Sequence, residues 1–236
     1  MLSRELGARA SDQAHMAISG LVSGARRLLT TVNDIIAVAQ IDEQSLQLNY
    51  QFMSLPHILQ IVLHDLRTNL EERILNFKMK PIPPELGSFY ADPQRVYQIF
   101  EYVIGNAIKY TPDGGLITIT LDLLEAPADV ERFVEVGIAD TGIGIAPDDI
   151  PRIFDKFYSK TDISLHSSGR TKYKGGGTGL GLSVVKGIVE AHGGKIVVES
   201  PGYDEEACPG TMARIFLPVR YEPPAADGRE RLGLKA

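Results

Sequence analysis

The chain has a single cysteine, Cys208, among its 236 residues, so no disulfide can close within it. That scarcity matches a reducing compartment. Long apolar runs are missing too: none approaches the roughly 20 residues that cross a bilayer. The opening stretch, Met1 to Ala10, carries charges and no hydrophobic signal region. The expectation is a soluble, cytoplasmic chain with no membrane segment of its own, any anchor of a full-length protein lying outside it. Excess positive charge is also absent. Lysine and arginine number 24 against 30 acidic residues, a net charge of −6. A binder of phosphate backbones is usually basic, so no nucleic-acid partner is expected. What the chain does have is 44% hydrophobic residues, ample for one buried core.

Proline is absent from Met1 to Gln51, and a long helical pattern fills that space. Ile18, Val22, Ala25, Leu29, Val32, Ile36 and Ala39 step by four and three, a heptad seam that needs partner helices from this chain or another. Ser45 to Met53 alternates like a short strand. Pro56 opens a helix running to about Glu72, and Ile74 to Met79 alternates again before Pro81, Pro83 and Pro84 break it. Asp92-Pro93 is a helix cap followed by proline at the first helical position. That helix ends in the turn Thr111-Pro112-Asp113-Gly114-Gly115. Leu116 to Leu124 and Phe133 to Asp140 read as a hairpin-like strand pair. Tyr158 to Gly177 is polar, basic and without period, which predicts a mobile loop. Leu180 to Ala191 is helical, and Lys195 to Ser200 and Thr211 to Val219 close the pattern as strands. Glu222 to Ala236 is polar and predicts a disordered tail.

Three segments carry chemistry. Gly175-Gly176-Gly177-Thr178-Gly179-Leu180-Gly181 runs straight into a helix. Glycines let backbone approach a phosphate, and the free N–H groups of a helix start favour an anion. No Gly-Lys-Ser/Thr follows, so this is not the nucleotide-binding P-loop. Taken alone, the run is equally a flexible hinge. Asp140-Thr141-Gly142-Ile143-Gly144-Ile145 places a carboxylate at a strand end, able to accept a hydrogen bond from an exocyclic amine such as that of adenine. Two glycines there allow a tight turn against a flat ring. In Asn106-Ala107-Ile108-Lys109-Tyr110, Asn106 and Lys109 are three apart and share a helix face. An amide oxygen suits Mg²⁺, a lysine neutralises phosphate, and Tyr110 offers an aromatic surface.

In that order the three segments resemble the catalytic ATP-binding domain of sensor histidine kinases, within the GHKL or Bergerat-type ATPase superfamily. Asn106 to Pro112 resembles the family's N box, and Asp140 to Ile145 its first glycine box. Phe154 and Phe157 resemble its F box, and Gly177 to Gly181 its second glycine box. The likeness covers about Leu46 to Val219. It implies an α/β two-layer sandwich, a mixed sheet with helices packed on one face, preceded by a long N-terminal helix. It divides the chain at 1–45, a helix like the second helix of the dimerisation bundle, 46–221, the catalytic domain, and 222–236, the tail. It assigns Asn106 to Mg²⁺, Asn106 and Lys109 to the transfer chemistry, and Lys109 to phosphate. It assigns Asp140 to the adenine amine, with Gly142 and Gly144 in the same turn. Tyr110 and Thr211 fall near the base, and Thr178, Gly179, Leu180 and Gly181 along the phosphates of ATP. Tyr158 to Gly177 becomes a lid. The implied partners are an acceptor bundle, a response regulator, and a second copy joined through the N-terminal helix.

The pattern departs from the family in three places. Tyr102 stands four positions before Asn106, where a polar residue is usual; Glu101 is one step off. Ser159 and Lys160 stand where an arginine often follows the F box, which makes Lys160 a candidate lid cation. The acceptor-histidine helix is expected to lie largely outside this chain. His64-Asp65-Leu66-Arg67-Thr68-Asn69 mimics an acceptor box, but it falls after the bundle-like helix and carries Asn69 instead of the family's proline. His15 has no acidic neighbour on its C-terminal side. Two rivals remain. A gyrase- or chaperone-like ATPase usually has a glutamate where Tyr102 stands. A nucleotide-binding regulatory module of the same fold, without transfer activity, is the other.

Overall fold

The computed structural model describes residues 2–124, 132–158, 173 and 178–224. A 41-residue helix, α1 (Leu2–Asp42), opens the chain. It is followed by β1 (Gln51–Met53), α2 (Leu55–Asp65), α3 (Arg67–Glu72), β2 (Asn76–Met79), β3 (Phe89–Ala91) and α4 (Pro93–Tyr110). Then come β4 (Leu116–Leu124), β5 (Arg132–Asp140), a 3₁₀ turn (Ile150–Arg152), α5 (Gly181–Ala191), β6 (Lys195–Glu199) and β7 (Thr211–Val219). The main sheet has the order β2-β4-β5-β7-β6; β2 runs parallel to β4 and the other pairs are antiparallel.

Alternation decides which sheet face is covered. Ile117, Ile119 and Leu121 of β4, Val134, Val136 and Ile138 of β5, and Ile215 and Leu217 of β7 are buried on one face. Helices α4 and α5 pack there and meet each other, while α2 packs on α4. The other face is polar in part, with Arg214 paired to Glu135 at 2.8 Å and Glu199 at 3.4 Å. This is the expected two-layer arrangement of a mixed sheet with helices on one face.

Three local expectations need correction. The strand expected from Ser45 is only Gln51–Met53, and it pairs with the unforeseen β3 in a separate two-stranded sheet. The helix expected from Pro56 to Glu72 breaks at Leu66, whose backbone (φ −88°, ψ −2°) ends α2 and starts α3. The break lets Leu66 turn into the core. The strand expected from Ile74 starts at Asn76, because Ile74 sits at φ +51° in the turn leaving α3.

The start of α4 is fixed by Asp92. Its carboxylate accepts from the backbone N–H groups of Gln94 and Arg95, both at 3.0 Å, and from Asn49 N–H at 2.9 Å. His192, at the end of α5, ties in here. Its Nε2 accepts from Asp92 N–H at 3.2 Å, and its Nδ1–H donates to the Ile188 carbonyl at 2.8 Å. The end of α4 is held by Arg73. Its guanidinium donates to the carbonyls of Ile108 at 3.2 Å and Thr111 at 2.7 Å, and to Asp113 at 2.5 Å. With both ends anchored, α4 is a stiff base for Asn106, Lys109 and Tyr110.

The heptad seam does not face the rest of the chain. Ile18, Val22, Leu29, Val32 and Ile36 are all exposed, whereas Asp34 and Ala37 are buried. α1 packs on α5 through this other stripe, with Ile41 against Gly187. Among the described residues, no helix is long and apolar enough to cross a membrane.

Candidate nucleotide site

Backbone contacts join the segments singled out in the sequence. The last turn of α4 meets the turn after β5: Ile143 N–H donates to the Tyr110 carbonyl at 3.1 Å. A Cβ added to Gly142 would lie 2.5 Å from that same carbonyl oxygen, so the approach requires glycine. Asp140 folds back on this turn, accepting from Gly142 N–H at 2.8 Å. It is paired in register with Thr211 of β7, whose N–H also reaches its carboxylate. Burial pushes the Asp140 carboxyl up to about 6, against the downward pull of those two amides. It is a partly buried hydrogen-bond acceptor.

The second glycine segment closes on two other elements. Gly179 has φ +69°, and a Cβ there would stand 2.6 Å from the backbone of Phe157. Gly181 begins α5 against Tyr102, whose ring atoms would lie 2.6 and 2.9 Å from a Cβ at that position. Thr178 Oγ1 accepts from Leu180 N–H at 3.3 Å, and Leu180 itself is buried. Phe154 packs against the core, while Phe157 is exposed with φ +62°.

Asn106 is half-exposed near the end of α4. Lys109 is only 6% exposed, and its amine lies 4.8 Å from the centroid of the Tyr110 ring. The structure thus joins Tyr110, Gly142, Asp140 and Thr211 where the end of α4 meets the turn after β5, with Asn106 and Lys109 in the last turns of the same helix, and it sets Gly181 beside Tyr102, while Gly144 packs against Gly202 and Pro209. Lys160 and Gly175 to Gly177 lie outside the described residues, as does most of the expected lid. Of its two described residues, Tyr158 donates through its hydroxyl to Asp149 at 2.6 Å, and Tyr173 has its ring 5.3 Å from the Arg73 guanidinium. His64 is exposed in α2, and its neighbour Asp65 accepts from the Tyr97 hydroxyl at 2.9 Å.

Two contributors escaped the sequence reading. Ser200 Oγ accepts from Ile145 N–H at 2.9 Å and lies 2.8 Å from the Gly210 carbonyl, fastening the Asp140 turn to the loop before β7. Gly210 in turn donates to the Gly142 carbonyl at 2.9 Å. Only the turn-forming sequence Ser200-Pro201-Gly202 hinted at this. The other is Asp34 on α1, which accepts a hydrogen bond from the Tyr102 hydroxyl.

Chemically, the site offers one partly buried carboxylate acceptor, an aromatic ring, a lysine amine and the first amides of a helix. Among the described residues, no group of three histidine, cysteine or carboxylate side chains could cage a metal. The donor set fits a hard cation that takes one amide oxygen from Asn106 and the rest of its ligands from phosphate and water, as Mg²⁺ does.

Comparison with known proteins identifies the family. Residues 91–221 match the family described as "Histidine kinase-, DNA gyrase B-, and HSP90-like ATPase". The sensor histidine kinase WalK of Bacillus subtilis is 30% identical over 174 residues, which are 74% of this chain and 26% of WalK. Full-length ShkA in complex with AMPPNP superposes with a TM-score of 0.63 at 25% identity, over 83% of this chain and 36% of ShkA. A mycobacterial sensor histidine kinase, MprB, shares the fold with a TM-score of 0.58 at 24% identity, over 74% of this chain and all of that one. The chain spans about a quarter to a third of the length of the curated relatives it matches.

Proposed function

The chain belongs to the histidine kinase-, DNA gyrase B- and HSP90-like ATPase family, and from that premise we propose that it binds Mg-ATP and passes the γ-phosphoryl group to a histidine on a helix bundle. The observation that carries this reading is Asp140. It is a partly buried carboxylate whose turn is locked to the last residue of α4 by the Ile143–Tyr110 hydrogen bond. Two backbone amides occupy only part of a carboxylate's acceptor capacity, which leaves room for a further donor. The exocyclic amine of adenine is such a donor, with Tyr110 and Thr211 flanking the ring.

The remaining residues take up the phosphates. The amides of Thr178 to Gly181 at the start of α5 suit an anion. Lys109, and Lys160 from the lid, supply positive charge. Asn106 would hold Mg²⁺, which would neutralise phosphate charge. In the transfer, an imidazole nitrogen attacks the γ-phosphorus, the bond to the bridging oxygen breaks, ADP leaves and the nitrogen gives up its proton. The protein's part is positioning and charge neutralisation. AMPPNP in ShkA supports the same use of the fold. A response regulator then receives the phosphoryl group. The exposed seam of α1 is the surface for a second copy, in a two-component system working in the cytoplasm.

One observation favours a second reading. The Tyr102 hydroxyl, at the position where the family's N box is usually polar, is turned to Asp34. A module that binds ATP without transferring phosphate would tolerate this. The deciding experiment mixes the chain with labelled ATP, Mg²⁺ and a bundle supplying the acceptor histidine. Transfer to the bundle, lost in Asn106→Ala and Asp140→Ala, is expected. ATP binding without transfer would replace the kinase reading by the module.

A further inference from the structure

Asp34 is 1% exposed and Tyr102 7% exposed, and the two meet across the interface between α1 and α4. The Tyr102 hydroxyl donates to Asp34 Oδ1. The same ring fills the space in which a Cβ of Gly181 would stand. One side chain therefore touches α1 with its hydroxyl and lies against the first turn of α5 with its ring. That first turn carries the amides assigned above to phosphate. Two further contacts seat α1 on this side of the domain. Ile41 lies against Gly187 of α5, and Asp42 pairs with Lys156, between the two F-box phenylalanines, at 2.5 Å.

We infer that Asp34 is a positioning residue for the nucleotide pocket: by holding the Tyr102 hydroxyl it fixes the ring that supports Gly181, so that α1 docking and phosphate binding are coupled. This rests on the ATP reading of the site. The physical basis is that a buried carboxylate is costly unless hydrogen-bonded. Withdrawing α1 strips Asp34 of the hydroxyl and leaves the Tyr102 ring free to turn. The backbone at Gly181 has no side chain to retain its place against that ring. Coupling of this kind is reciprocal: whatever moves α1 changes the affinity for the triphosphate, and the triphosphate favours the docked helix by the same factor.

The test measures ATP and adenosine affinities by calorimetry, with thermal unfolding recorded for each variant. Tyr102→Phe keeps the ring and removes the hydroxyl; Asp34→Ala removes its acceptor. Each should weaken ATP binding by about threefold to tenfold, the loss of one hydrogen bond, and leave adenosine within about twofold. The double variant should be no weaker than the worse single one, because the two act as a unit. Asp34→Asn, whose amide oxygen still accepts the hydroxyl proton, should recover most of the affinity lost in Asp34→Ala. Unchanged ATP affinity in both single variants overturns the inference. So does an equal loss for ATP and adenosine that follows the fall in melting temperature. A wild-type chain that binds neither ligand removes the ATP reading itself.

Discussion

Gly142 sits so close to the carbonyl oxygen of Tyr110 that an added Cβ would stand 2.5 Å from it and 2.6 Å from Asp140 Oδ1. The carbonyl is backbone, and Asp140 Oδ1 is held by the Gly142 N–H, so neither yields cheaply. Gly142→Ala must push the Asp140 turn away from α4, at about 1–3 kcal/mol for overpacking. Thermal unfolding should show the loss, and ATP affinity should fall at least about tenfold as the carboxylate shifts. An alanine variant with unaltered affinity would show that this contact does not shape the pocket.

The carboxyl of Asp140 sets a pH dependence. Burial raises it from 3.8 to about 6, so the folded chain holds this proton more tightly than the unfolded one. Its contribution to stability is therefore full below about 4 and is lost as pH rises through about 6. Nucleotide binding runs the other way, because an amine donor needs the ionised acceptor. ATP affinity should fall up to about tenfold per pH unit below 6, with proton release on binding near pH 5.5. Asp140→Asn should bind weakly and without that pH dependence. Calorimetry in buffers of different ionisation heat reads both.

The elements that carry Asn106, Lys109, Asp140 and Gly181 could be placed from the sequence because each lies in a short segment with its own local pattern. Asp92-Pro93 likewise announces the start of α4, and the steps of Ile18 to Ala39 announce a helix. What stayed hidden was non-local. β3 is three residues long, Phe89–Ala91, too short for alternation to mark it. Leu66 interrupts a helical pattern with neither proline nor glycine, because burying its side chain outweighs unbroken helix. Asp34 and Tyr102 are 68 residues apart. Each sits in ordinary helix, and nothing in either segment names the other.

His192 is buried with both ring nitrogens engaged, and burial lowers its pKa below 6.5 despite the Ile188 carbonyl. The unfolded chain takes up this proton first as pH falls. The stability it contributes is present above pH 6.5 and is lost below it. His192→Ala should cost about 2–3 kcal/mol at pH 7.5, from the lost packing and the unpaired Asp92 N–H, and should flatten the acid side of the stability profile. Urea unfolding across pH 5 to 8 measures both.

Arg73 ties two carbonyls at the end of α4 to Asp113. Arg73→Ala leaves those carbonyls to find other partners, at about 2–3 kcal/mol. Arg73→Lys should recover less than half of this, since one ammonium cannot reproduce a planar fork spanning three acceptors. Full rescue by lysine in urea unfolding would show that charge alone is what the site uses.

The most direct measurement of the whole account is a calorimetric titration of the chain with ATP in the presence of Mg²⁺ at pH 7.5. The pocket built on Asn106, Asp140 and the start of α5 predicts saturable binding at one site per chain, weakened by more than about tenfold in Asp140→Ala and clearly weakened in Asn106→Ala. Absence of saturable binding, or equal binding by Asp140→Ala, would contradict it.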